Sequence, residues 1–145
     1  MIFLYLPFAI QGLVMFFDEL YFHRKRGLPL WERLGHPLDT LTVLGCYLFM
    51  LFNQPTDLNL KIYIGLAVFS CLFITKDEFV HSEHCEPAEN WLHSLLFVLH
   101  PICFLAAFLV WQEQKDFIFL KAQAVVIFCF MIYQITYWSF FGKSK

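Results

Sequence analysis

The chain has 145 residues, 59% hydrophobic, 20% aromatic and only 15% charged, with 19 phenylalanines and a mean hydropathy of +0.60. A soluble domain carries about a quarter charged residues, so an ordinary soluble domain is excluded and an all-α integral membrane protein is expected. Ten basic residues against 12 acidic ones leave a net charge of −2, which gives no basic field for holding nucleic acid.

The five cysteines, Cys46, Cys71, Cys85, Cys103 and Cys129, form no C-x-x-C pair, and four of them lie in apolar runs, so no disulfide framework is read. One crossing takes roughly 20 apolar residues, and the apolar stretches supply about five. The segment from Met1 to Phe17 lacks the basic start and small-residue cleavage site of a secretory signal, and is expected to stay as the first span. In chain order, helices are predicted over residues 2–23, 37–52, 60–81, 87–111 and 116–141. Asn53-Gln54-Pro55-Thr56-Asp57 and Gln112-Glu113-Gln114-Lys115 read as polar turns. Residues 24–36 and 82–86 make the other two connections.

Arg24, Lys25, Arg26, Arg33, Lys76, Lys143 and Lys145 fall on one side of this arrangement, and Lys61, Lys115 and Lys121 on the other. By the bias of basic residues towards the cytoplasm, the N-terminus is expected outside and the C-terminus inside. Trp31, Trp91 and Trp138 stand near predicted boundaries, as an interfacial aromatic belt would require.

The chain reads as saying something twice. Asp18-Glu19 ends the first helix and is followed by His23; Asp77-Glu78 ends the third and is followed by His81. The next helices open with His36-Pro37-Leu38-Asp39 and Glu86-Pro87-Ala88-Glu89, a proline and carboxylate start. This pattern predicts two tandem helical hairpins, residues 1–53 and 60–111, forming a four-helix bundle, with the helix at 116–141 added outside it.

All six histidines, His23, His36, His81, His84, His93 and His100, lie towards the predicted cytoplasmic side, as do most carboxylates. Ionisable groups near lipid are costly and tend to face an interior site. Glu19 and His23 are four apart, Glu78 and His81 three apart, and Glu89 and His93 four apart, so each pair shares a helix face. A four-helix bundle holds two metal ions when each helix turns a carboxylate inward and histidines are added. The candidate ligands are therefore Glu19, His23, Asp39, Glu78, His81 and Glu89, with His93, His84 and His36 as further nitrogen donors. Asp18, Asp77, Glu86 and Glu32 read as helix-end and loop charges. His100, followed by Pro101, reads as a buried polar contact at a kink.

Two general resemblances follow. His81-Ser82-Glu83-His84 resembles part of a histidine box of membrane fatty-acid desaturases and hydroxylases, although the H-x-x-H-H box and its companions are absent. Glu78 and His81 are similar to the Glu-x-x-His of soluble ferritin-like di-iron proteins, a spacing that Glu19 and His23 miss by one residue.

The expected function is a membrane-embedded dimetal oxidoreductase, with two ions, iron first and zinc or manganese as alternatives, acting on a lipid or other apolar substrate from the bilayer. With no Gly-rich nucleotide loop, its electrons would come from a donor protein or a quinone. The competing readings are a zinc-dependent membrane hydrolase using Asp18, Asp77 or Glu78 as base, and a non-enzymatic protein that transports or senses metal, binds haem, or serves as a structural subunit.

Overall fold

The computed structural model describes residues 2–79, 81, 85–113 and 117–142. These residues are almost wholly helical. Helix α1 runs over Leu6–Phe17, widens into a π-helical turn over Asp18–His23 and closes with Arg24–Arg26. Then come α2 (Leu30–Phe52), α3 (Asp57–Phe73, tightening into a 3-10 turn at Ile74–Asp77), α4 (Pro87–Glu113) and α5 (Phe117–Phe140).

Local chemistry sets the boundaries. Gly27 stops the first helix with φ 76° and ψ 159°, a conformation that essentially only glycine adopts without strain. Pro29 then caps α2, whose first backbone bond runs from the Arg33 N–H to the Pro29 carbonyl at 3.1 Å. Thr56 caps α3, its hydroxyl accepting from the Asn59 N–H at 3.3 Å.

Four helices, α2, α3 with its 3-10 turn, α4 and α5, are long and apolar enough to cross a membrane. The 23 residues of α2 rise about 35 Å, against roughly 30 Å of hydrocarbon. The first of the five predicted spans is instead composite, because its regular α-helical part has only 12 residues. Many large apolar side chains point outward along these helices, among them Leu41, Leu72, Val98 and Ile118, as lipid-facing surfaces do.

The packing differs from the predicted pair of hairpins. Helix α1 lies against α4, α3 lies between α2 and α4, and α2 makes its most extensive contact with α5. The C-terminal helix is thus a wall of the bundle and not an addition outside it. Tyr47, Met50, Tyr63, Phe104, Ala107, Trp111 and Leu120 fill the core, with Phe104 packed on His100. There Tyr63 donates to the Phe104 carbonyl at 2.8 Å and Trp111 to the Asn53 carbonyl at 3.1 Å. Bonds between helices, such as Thr40 Oγ1 to Gln134 Oε1 at 2.7 Å, each stabilise a helix pair in lipid by about 0.6 kcal/mol.

Candidate metal centre

The polar residues gather at one end of the bundle. His36 and His93 each sit six residues inside their helices, about 9 Å from the first turn. His23 comes from the π turn of α1, and His81 follows the 3-10 turn of α3. Four chain segments therefore deliver one imidazole each.

These imidazoles form a closed circuit. Ring centroids are separated by 4.8 Å between His23 and His36, 6.4 Å between His36 and His81, 4.0 Å between His81 and His93, and 5.9 Å between His93 and His23. Carboxylates interleave with them. His93 Nε2 donates to Asp18 Oδ2 at 3.0 Å and His23 Nδ1 to Glu19 Oε2 at 3.1 Å. Glu19 Oε1 in turn accepts from Trp138 Nε1 at 2.5 Å. That chain fixes the tautomer of His23 and turns its Nε2 inward, the usual way a carboxylate orients a metal-binding imidazole.

The inward donors are buried without partners. Among the described residues, both ring nitrogens of His81, Nδ1 of His93 and Oδ1 of Asp18 have no hydrogen-bond partner. His23 Nε2 lies 3.1 Å from Asp18 Oδ2, off the axis of a hydrogen bond. Two donors each about 2.0–2.1 Å from one ion stand roughly this far apart. A buried polar group left unpaired costs about 1–3 kcal/mol, and several such atoms in one cluster call for a ligand.

Among the described residues, donor atoms within 4.8 Å of one another form four sets: Asp18, His23, Glu89 and His93; Glu19, His23 and His36; Glu32, His36 and His81; and His81, Cys85 and His93. Successive sets share one histidine, so they close into the same circuit as the rings.

Fixed cations balance part of the negative charge. Arg26 bridges Glu32 and Glu89, with its Nη2 2.7 Å from Glu32 Oε2 and 2.9 Å from Glu89 Oε1. Burial disfavours the Arg26 cation, but those two carboxylates outweigh burial and hold its pKa above the usual range. Lys76 lies 2.6 Å from Asp39 Oδ1 and 3.1 Å from Asp77 Oδ1. Burial, helped by the neighbouring His93, His23 and Arg26, pushes His81 down to about 3, leaving a neutral imidazole with a lone pair to give.

The predicted ligands divide accordingly. Glu19, His23, His36, His81, Glu89 and His93 come together, whereas His84 lies outside the described residues. Glu78 is exposed, and Asp77 takes the inward position beside it. The reason is local: a 3-10 turn eclipses side chains three apart, and closing α3 that way turns only one of the acidic pair inward. Asp39 is drawn off by Lys76 and belongs to none of the four donor sets.

Three expected helix-end charges, Asp18, Asp77 and Glu32, are buried, while Glu86 is exposed and pairs with Lys25. Asp18, Glu32 and Cys85 join the donor sets without having been among the expected ligands, and Glu32 is the one with a helical signal. Its signal is the face Glu32, His36, Thr40 at four-residue spacing, hidden because α2 begins at Leu30 and not at Pro37. Trp138, read as interfacial, is buried and serves Glu19; Trp31 and Trp91 are exposed as a belt would have them. His100 makes the expected buried contact, with Ser70 Oγ 3.1 Å from its Nε2.

A cavity of about 330 Å³ adjoins the cluster and runs down the bundle between apolar side chains, from Asp18 and His93 to Phe8, Tyr47 and Phe104. Fold and site together define a helical protein with membrane-length spans and a buried imidazole–carboxylate cluster at one end of an apolar cavity. No family model, curated protein or solved structure matches the chain.

Proposed function

We propose that this protein is a membrane-embedded dimetal oxidoreductase whose substrate is apolar. The observation that carries the reading is the circuit of four imidazoles, three of them buried, with unpartnered ring nitrogens on His23, His81 and His93. Charge supports cation binding: the carboxylates of Asp18, Glu19, Glu32 and Glu89 belong to the donor sets, and Arg26 is the fixed cation that bridges two of them.

Two donor sets can be filled at once without sharing a residue. Asp18, His23, Glu89 and His93 make one, and Glu32, His36 and His81 the other. This pairing uses each imidazole once and brings three carboxylates, whereas the alternative pairing brings a single carboxylate and the Cys85 thiol. Glu19 is left to orient His23. Mixed nitrogen and oxygen donors suit iron, with manganese and zinc next.

Bound iron would supply dioxygen chemistry. In a balanced hydroxylation, one oxygen atom enters a C–H bond and the other leaves as water, consuming two protons and two electrons from a reduced donor protein or a quinol, which is oxidised to the quinone. The chain itself keeps water away with the apolar walls of the cavity and holds the His23 imidazole in position from Glu19 and Trp138.

The test is elemental analysis of protein purified in mild detergent without chelator or histidine tag. Two iron ions per chain, with the electron resonance of a coupled pair after partial reduction, is the expected result. Zinc in their place would move the assignment to a hydrolase, and protein free of transition metal after growth in metal-replete medium would end it.

A further inference from the structure

The cavity beside the cluster has walls from α1, α2, α4 and α5 and from the 3-10 turn of α3. Among the described residues that line it, three are exposed: Gly12 and Phe16 on α1, and Val126 on α5. All three flank one seam. Contacts between these helices lie at the ends of the seam. At one end Tyr5 and Phe8 meet Phe119, with ring centroids 4.6 and 5.0 Å apart. At the other, Trp138 donates to Glu19, and Arg24 donates to the Tyr133 hydroxyl at 3.3 Å and covers the Tyr137 ring.

Between those seals the seam is open. A Cβ built on Gly12 would meet nothing within 4 Å. The flanking residues Leu13, Val125 and Phe128 point outward, onto the apolar surface that four membrane-length helices share. From Phe8 to Asp18 the cavity follows ten residues of α1, about 15 Å of rise. Its volume of about 330 Å³ holds roughly eleven groups the size of a water molecule at about 30 Å³ each, and a methylene is of similar size.

We propose that the α1–α5 seam is a lateral doorway through which a single long hydrocarbon chain passes from the bilayer to lie with a methylene beside the imidazole cluster. The doorway deepens the oxidoreductase reading by naming its substrate class, an acyl-type chain, and in that respect rests on it. The mouth is apolar on both sides and bounded at each end, which suits a flexible hydrocarbon chain. Deep in the cavity, Cys103 and Phe104 are buried, beyond the reach of lipid that merely coats the helices.

The experiment uses the full chain in lipid nanodiscs with palmitic acid carrying a mid-chain diazirine, photolysed and mapped by peptide mass spectrometry, with metal content measured on the same samples. Insertion at Cys103 or Phe104 is expected in the wild type and in Gly12→Ala. It should fall about tenfold in Gly12→Trp and, from the opposite wall, in Val126→Trp, because an indole fills the mouth. Helicity by circular dichroism and elution volume identify whichever tryptophan variant keeps its fold. Wild-type labelling confined to outward residues such as Leu13 and Val125, or interior labelling unchanged in a folded tryptophan variant, overturns the doorway. If metal is retained while the interior stays unlabelled, the doorway falls and the metal centre stands. If labelling is blocked by tryptophan in protein that holds no metal, the doorway stands and the metal centre falls.

Discussion

His81 concentrates the argument at the scale of single residues, since both of its nitrogens are buried and unpaired among the described residues. Replacing it with alanine removes a donor without breaking any described hydrogen bond. His81→Ala should therefore lose metal while the apo protein keeps or gains thermal stability, as followed by elemental analysis and by melting after chelation. Glu78→Ala should leave metal content unchanged, because that carboxylate faces outward. Loss of metal in Glu78→Ala would restore the assignment made from its Glu-x-x-His spacing. Glu19 acts through His23, so Glu19→Gln should weaken metal affinity by about 10–100-fold, as is usual for groups that orient a ligand; titration with a competing chelator measures it. The sequence made the histidines and their one-sidedness legible. Which oxygen of an adjacent acidic pair turns inward was not, because that depends on half a turn of helix.

The π turn of α1 governs the next scale. Spanning Asp18–His23 with a wider helical step, it turns two consecutive carboxylates and a histidine inward at once, all of them buried. The 3-10 turn of α3 does the reverse at Asp77 and Glu78. Two stretches with the same residues in the same order thus end in different local helices, and matching letters did not reveal it. In backbone register Asp77 and His81, four apart, correspond to Glu19 and His23. A π bulge amounts to one extra residue in an α-helix, so deleting Leu20 should restore regular α-helix and swing Asp18 out of the cluster. Such protein should remain helical by circular dichroism and lose the ion held by Asp18; retention of both ions would contradict this account of the turn. The start of α2 was missed for a related reason. Gly27-Leu28-Pro29 is a stop and a start, but His36-Pro37 looked like a better one, and Pro37 instead lies inside the helix. Gly35 two residues earlier allows α2 to approach α3, since a Cβ there would come within 3.2 Å of Asp77 Oδ1.

For the whole molecule, composition gave the class of fold and the hydropathy pattern gave most helix ends, notably α4 and α5. Neighbour relations were hidden. Lipid-facing and helix-facing positions are both apolar, so nothing in the pattern tells α1 to pack on α4 instead of α2. Metal should stabilise the assembled bundle by mass action, because the donors come from four separate segments and an unfolded chain does not present them together. At an ion concentration 100 times the dissociation constant the gain is about 2.7 kcal/mol per site. The melting temperature should rise with added iron(II) or zinc and fall with chelator, and a melting temperature indifferent to both would count against a site spanning four segments.

Arg26 joins Glu32 to Glu89 across the bundle through a guanidinium that is itself almost covered. That internal cation quiets the repulsion among the acids without any ion, so on the proposed reading the chain would fold first and be loaded afterwards. Removing it should couple the two events: Arg26→Gln would accumulate only in cells supplied with the ion during synthesis, whereas the wild type would mature in starved cells and take up metal when fed later. The guanidinium works, in effect, as scaffolding kept in the finished building.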